Sequence, residues 1–113
     1  MLSKKNRLKK KKDFEEVLKK GKGFKEDFLV LKVKNNNLKT SRFGFIVSQK
    51  LSKKATVRNK IKRRLRECVR RVLPRIKKKV DGVIITKPGL ELRDFWEIEE
   101  IINQLFKKAK LFQ

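Results

Sequence analysis

The sequence predicts a single small α+β sandwich with its elements in the order αβββαβα. Three observations point to it. Apolar residues recur at helical spacing in two long stretches, 55–73 and 94–109. Shorter runs at 24–34, 40–48 and 83–86 are apolar or alternating and are bounded by Asn, Gly or Pro, as strands are. The 113 residues contain no repeat and no linker, so one domain, 1–113, has to share one core. Thirty-eight per cent hydrophobic residues, with eight Phe and one Trp, support that core even though 42% of the chain is charged.

The elements follow in chain order. Residues 1–12 are lysine-rich, with little apolar beyond Leu2 and Leu8, and are expected to be a flexible basic arm that orders partly or only on binding. Asp13 suits a helix N-cap with Glu16 three residues on, and Phe14, Val17 and Leu18 share one face of the helix that Gly21 and Gly23 end. Phe28 to Lys34 is apolar and then alternates, and Phe24 belongs to a short strand of its own before it. Asn35, Asn36 and Asn37 make a turn, and Thr40 to Ser48 returns as a strand. The two strands flanking that turn are expected to pair as an antiparallel hairpin. On the returning strand Phe43, Phe45 and Val47 face one way, and Gly44, Ile46 and Ser48 the other.

In the helix at 55–73, Val57, Ile61, Leu65, Cys68, Val69 and Val72 fall in an arc of about 120° at ~100° per residue, and Pro74 stops it. Val83-Ile84-Ile85-Thr86 is a buried strand closed by Pro88-Gly89. Asp94 with Glu97 forms a capping box for the last helix, whose inward face is Ile98, Ile101, Ile102, Leu105, Phe106 and Ala109. Trp96, in the first turn, is expected to anchor that helix to the sheet. Glu97, Glu99 and Glu100 are expected to complement the helix dipole rather than to hold a metal.

Charge narrows the function. Thirty-five Lys+Arg against 12 Asp+Glu give a net +23, and the excess is uneven: residues 1–80 carry 30 and 6, residues 81–113 carry 5 and 6. A partner of high charge density, nucleic acid before an anionic membrane surface, would relieve that repulsion. With no His, the commonest general acid/base is missing, and no zinc cluster is plausible. The lone Cys68 suits a small buried hydrophobe. Neither a membrane-spanning run nor a signal peptide is evident, so a cytoplasmic location is expected.

The polar side of the 55–73 helix carries two basic stripes. Arg58, Asn59, Lys62, Arg63, Arg66 and Arg70 lie in one, Lys60, Arg64 and Arg71 in the other, and Glu67 is the only acid between Lys53 and Lys79. Among its i,i+4 charge pairs, Arg58/Lys62, Lys62/Arg66, Arg66/Arg70 and Lys60/Arg64 repel, while Arg63/Glu67 attracts. Phosphates on that face would offset the repulsion, with Arg giving bidentate contacts and Lys point charge. Lys50, Lys53 and Lys54 just before the helix either add phosphate contacts or serve solubility, and Ser48 either bonds a phosphate or ends its strand.

Arg58-Asn59-Lys60-Ile61-Lys62-Arg63-Arg64-Leu65-Arg66-Glu67 resembles the RNR motif of the bacterial ribonuclease P protein component. The likeness covers most of the chain. Arg7-Leu8 followed by Asp13-Phe14, the run Arg42-x-Gly44-Phe45-x-Val47-Ser48-x-Lys50, and Asp81-x-Val83-Ile84-Ile85 resemble three further family patterns in the right order. The third RNR letter is Lys60 here, which keeps the charge and loses the planar fork.

The resemblance implies a mixed four-stranded sheet with a left-handed crossover, like the second domain of ribosomal protein S5. It also implies a subunit that helps a catalytic RNA remove the 5′ leader of precursor tRNA. The protein would be a monomer in a 1:1 ribonucleoprotein, off the membrane and without catalytic groups or a cofactor of its own. Mg²⁺ would enter through the RNA. Arg58, Asn59, Lys60, Lys62, Arg63, Arg66 and Arg70 would face that RNA, with Ser48, Lys50, Lys53 and Lys54 adding contacts. A cleft between the first helix and the sheet would take the leader. Phe14 either stacks a base there or is simply core, and Leu18, Leu31 and Ile46 either line the cleft or pack. Three other classes fit less well. A structural ribosomal protein matches the composition but not the ordered motifs, and a stand-alone nuclease lacks a carboxylate cluster or His pair. A membrane-surface protein needs a broader aromatic or Leu-rich face.

Overall fold

The computed structural model describes residues 2–113. Helices α1 (Lys11–Lys20), α2 (Ala55–Val72) and α3 (Phe95–Lys108) flank strands β1 (Lys22–Glu26), β2 (Leu29–Asn35), β3 (Arg42–Ile46) and β4 (Val80–Thr86). The strands form one mixed sheet in the order β1-β2-β4-β3. The architecture is therefore the expected αβββαβα sandwich, and the sheet order corrects one expectation. β2 and β3 do not pair as a hairpin. β4 lies between them, antiparallel to β2 and parallel to β3. Six of the seven β4 residues are buried, so this strand gains most by being covered on both faces and flanked by strands on both edges. The Asn-rich loop crosses the start of β4 instead of turning tightly. There the Asn36 amide donates to the Lys79 carbonyl at 3.0 Å, and its side chain donates to Asp81 at 2.8 Å.

The antiparallel hairpin is β1–β2, closed through Asp27 and Phe28. Phe28 takes φ +50°, unusual for an aromatic residue. Its conformation is held by the ring, which packs on Gly89, and by its carbonyl, which accepts from the Lys87 amide at 2.9 Å. Gly89 has φ +109°, and a Cβ there would strike the Phe28 ring, so two requirements select glycine at this position.

Strand alternation sends the two sheet faces to different partners. Phe24, Leu31, Ile84 and Phe45 are neighbours in the cross-strand register on the face that α2 and α3 cover. There Ile61, Leu65, Cys68 and Val69 of α2 meet Ile98, Ile102, Leu105 and Phe106 of α3, and Phe43 stacks on Phe106 at 5.4 Å. The opposite face is covered only in part, by α1 through Val17 and by Leu8, which close over Val83. The capping box of α3 forms as expected: Asp94 accepts from the Glu97 amide at 2.8 Å, and Glu97 accepts from the Asp94 amide at 3.2 Å.

Four local expectations change. Residues 2–12 are not a free arm. Leu2 is fully buried, Leu8 nearly so, and Asn6 donates to the Ser41 carbonyl at 2.8 Å while Arg7 bridges to Phe43. The Leu8 amide donates to the Phe43 carbonyl of β3 at 2.9 Å, and Leu2 on the α2–α3 side and Leu8 on the α1 side are each buried, which holds this segment in place. α1 begins at Lys11, so Asp13 sits inside the first turn and reaches Arg42 (3.5 Å) instead of capping. Trp96 is 65% exposed and anchors nothing to the sheet, because Phe95 takes the inward position one residue earlier. Leu31 is 0% exposed on the α3 face, so it cannot line a cleft under α1.

Candidate nucleic-acid interface

α2 buries Ile61, Leu65, Cys68, Val69 and Val72 and half-buries Val57, which turns its basic side outward. The cations on that side are not equally available. Arg70 is held by Glu67 through one guanidinium edge (Nε to Oε1 2.9 Å, Nη2 to Oε2 2.5 Å), so its Nε–Nη2 fork is occupied; this hydrogen bond draws the Glu67 carboxyl down to about 2. Arg71 pairs with Glu99 at 2.6 Å and lies over Phe95 and Trp96. Arg64 donates to the Arg93 carbonyl at 3.4 Å, and Arg58 donates one Nη to the Ser52 carbonyl at 2.8 Å. Among the described residues, Lys60, Lys62, Arg63 and Arg66 have no carboxylate partner, and Asn59, Lys60 and Arg63 are exposed. Lys54 precedes α2 as its N-cap residue but gives no side-chain cap, and the first turn holds no acid. The free N–H groups of α2 therefore directly follow exposed Lys53 and Lys54 in the chain, with exposed Lys50 in the loop before them. Ser48 is half-buried, just past β3.

Lys62 and Arg66 do more than decorate α2. With Arg7 and Lys9 from the N-terminal segment, they ring a cleft of ≈ 400 Å³ whose wall includes Phe14 and Gly44. The local cause is Gly44: a Cβ there would collide with Phe14 Cζ, so only glycine lets the tip of the ring approach the β3 backbone so closely. Phe14 is only half-buried, between the core and the cleft. Leu18, Ile46 and Ile85 continue the half-buried apolar strip beyond it, and Val30 is the register neighbour of Ile85 on that face. Leu18 and Ile46 thus join Phe14, whereas Leu31 does not.

Sequence reasoning missed Arg7 and Lys9 as part of this site because it treated their segment as unstructured. It missed Val30 and Ile85 because their register was set by the unexpected strand order. The parity of Ile46 and Ile85 opposite Phe45 and Ile84 was the available signal. An ionic network ties β3 to β4 and touches α1: Arg42 donates to Asp81 at 2.9 and 2.6 Å and reaches Asp13 at 3.5 Å. The Asp81 hydrogen bond raises the Arg42 pKa further above its ordinary value.

Among the described residues, no group of three or more His, Cys, Asp or Glu is placed to hold a metal ion, and no helix is long and apolar enough to cross a membrane. Glu97 caps α3, Glu99 binds Arg71, and Glu100 accepts from Gln104 at 3.0 Å. Cys68 is fully buried, and desolvation pushes its thiol up to about 12.

Fold and surface together define a basic RNA-binding protein of α+β sandwich architecture. The Ribonuclease P family profile matches residues 2–110. The chain is 37% identical over 112 residues to the Ribonuclease P protein component of Syntrophomonas wolfei, covering 99% of this chain and 93% of that one. It is 37% identical over 106 residues to that of Alkaliphilus metalliredigens, covering 94% and 95%. Among solved structures, the Staphylococcus aureus RNase P protein superposes with TM-score 0.87 at 31% identity, covering 96% of this chain and 98% of that one. The Thermotoga maritima RNase P protein, in complex with 1-(4-fluorophenyl)-2-thiourea, gives 0.83 at 37%, covering 90% and 98%. The chain belongs to the ribonuclease P protein family, as a protein component of that tRNA-processing ribonucleoprotein and a partner of its RNA.

Proposed function

We propose that this chain assists cleavage by holding two nucleic-acid segments against each other: the ribonuclease P RNA and the 5′ leader of precursor tRNA. The observation that carries this reading is the cleft where Lys62 and Arg66 of α2 meet Arg7, Lys9 and the exposed part of Phe14. One strand lying there touches both the basic helix and the apolar strip.

The roles follow from exposure and charge. Asn59, Lys60 and Arg63 project outward and bind backbone of the catalytic RNA, together with Arg58 through its remaining N–H groups. Arg70 joins them only if Glu67 releases it. Ser48, Lys50, Lys53 and Lys54 extend the phosphate footprint around the start of α2. Lys62 and Arg66 face inward, where RNA and leader converge, and reduce the repulsion between the two backbones. Phe14 stacks a leader base, a contact of about 1–3 kcal/mol, while Leu18, Ile46, Ile85 and Val30 pack the neighbouring sugars and bases. Lys60 supplies a point charge where an arginine would give two parallel bonds.

The chain acts as one domain and one copy per RNA, in the cytoplasm. It contributes no acid, base or nucleophile. The carboxylates near the cleft, Asp13 and Asp81, are already bound to Arg42 and do not fit a Mg²⁺ site, so divalent ions reach the reaction through the RNA. The test is cleavage of a precursor tRNA by a bacterial ribonuclease P RNA at limiting Mg²⁺, with and without this chain. The expected result is cleavage at the mature 5′ end restored only when RNA and protein are both present. Tight RNA binding without any gain in cleavage would overturn the proposal.

A further inference from the structure

A second cleft lies away from the one at Phe14. It has ≈ 600 Å³, shares no residue with the Phe14 cleft, and lies at the β1 edge under the end of α3, on the other face of the sheet. Its floor is apolar, formed by Phe24, Val33, Val80 and Leu111. Its rim carries six lysines: Lys20, Lys22, Lys34, Lys78, Lys108 and Lys110. Three of them have carboxylate partners. Glu16 binds both Lys20 and Lys34 at 3.1 Å, and Glu26 binds Lys108 at 2.5 Å. Among the described residues, Lys22, Lys78 and Lys110 have no carboxylate partner, and the Lys22 ammonium stands 5.7 Å from the Phe24 ring centroid.

Favourable interaction with a helix C-terminus accounts for Lys20 and Lys108, which end α1 and α3. It does not account for Lys22 and Lys78, which lie outside any helix. Lys110 is harder still to explain as a solubility charge. The end of α3 is a Schellman motif, with the Leu111 amide on the Phe106 carbonyl (3.1 Å) and the Lys110 amide on the Lys107 carbonyl (3.0 Å). Lys110 therefore sits where glycine is usual and adopts φ +58°, a conformation that disfavours any side chain. A strained lysine directed at the same cleft as two other unpaired lysines is a local cost with an electrostatic use.

We propose that this back-face cleft binds a planar ring carrying consecutive phosphates, the chemistry of a nucleotide. The ring lies on the Phe24 side of the floor, and Lys22, Lys78 and Lys110 take the phosphates. Two sources share that chemistry: a free nucleoside triphosphate, and a single-stranded RNA segment other than the one at Phe14.

The test is two-dimensional amide NMR of the isotope-labelled full chain, titrated in turn with ATP, inorganic triphosphate and a 5′-phosphorylated tetra-adenylate. ATP is expected to shift the amides of Phe24, Val33 and Leu111, and to bind at least tenfold more tightly than triphosphate, which lacks the ring. K22Q/K78Q is expected to weaken ATP binding at least tenfold. K39Q/K87Q, which removes the same charge from exposed lysines elsewhere, is expected to change it less than twofold. K110G is expected to raise the melting temperature while weakening ATP binding, a pairing that a purely structural lysine would not produce. Tetra-adenylate binding more tightly than ATP assigns the site to an RNA strand, and the reverse assigns it to the free nucleotide. Triphosphate binding as well as ATP, or equal losses in K22Q/K78Q and K39Q/K87Q, would overturn the proposal, because either marks a diffuse effect of net charge.

Discussion

Asp81→Asn is the substitution whose cost the geometry specifies best. Asp81 accepts from Arg42 Nε at 2.9 Å, from Arg42 Nη2 at 2.6 Å and from Asn36 Nδ2 at 2.8 Å, with its side chain 13% exposed and that of Arg42 25%. The asparagine is isosteric, so no cavity forms. Its amide nitrogen nevertheless has to face one of these donors, which deletes a charge-assisted bond and leaves a half-buried guanidinium short of its counter-charge. A charge-assisted bond contributes roughly 1.5–3 kcal/mol, and breaking one partner of a buried pair costs up to about 5. With both side chains partly in water, a value near 3 kcal/mol is expected, or a fall in Tm of about 12 °C for a domain of this size. Urea unfolding at fixed salt measures it, and a shift in midpoint without a change in slope keeps the loss in the folded state. Asp13→Asn is the internal control: its 3.5 Å contact with Arg42 is long, and it should cost below about 1 kcal/mol. If Asp81→Asn loses under about 1 kcal/mol, or no more than Asp13→Asn, the network does not hold β3 and β4 together and the reasoning fails.

Four further outcomes are expected. Phe14→Ala should weaken binding of leader-bearing precursor tRNA to the holoenzyme by about five- to 150-fold, corresponding to roughly 1–3 kcal/mol, and leave mature tRNA nearly unaffected; equal losses for both would return Phe14 to the core. Arg63→Ala should lower the salt slope of binding to the ribonuclease P RNA by about one, and an unchanged slope would remove it from the phosphate footprint. Cys68, with its thiol pushed up to about 12 and no exposure, should resist alkylation at pH 8 and react on unfolding; prompt labelling of the native protein would contradict its burial. Glu67 is held at about 2 against an ordinary 4.5, so its contribution to stability is complete above pH 4.5 and fades as pH falls towards 2. Glu67→Gln should therefore flatten the pH dependence of Tm in that window and, by releasing Arg70, steepen the salt slope for RNA; parallel pH curves for variant and parent would refute the first effect.

The sequence alone determined what is local or additive. The α2 and α3 faces, the α3 capping box, the strand parity of Phe43, Gly44, Phe45 and Ile46, and the basic outer side of α2 all follow from residue spacing, because a helix or strand imposes its period on any side chains it carries. Tertiary structure decided what depends on distant partners. Alternation shows which residues share a face and is silent on which strand lies next to which. Only the advantage of covering β4 on both faces separated β2 from β3, and that order in turn put Leu31 in the core and Ile85 beside Ile46. Leu2 and Leu8 look incidental among lysines until β3 offers a free edge and each side of the sheet buries one of them. Trp96 shows the converse: a large apolar ring suggests an anchor, but in the first turn of α3 the inward places went to Phe95 and Ile98. The cleft itself, with Arg7 and Lys9 meeting Lys62 and Arg66 around a Phe14 ring whose tip approaches Gly44, joins three segments far apart in the chain. No periodicity connects them, because a glycine admits the ring only once α1 is packed on that strand.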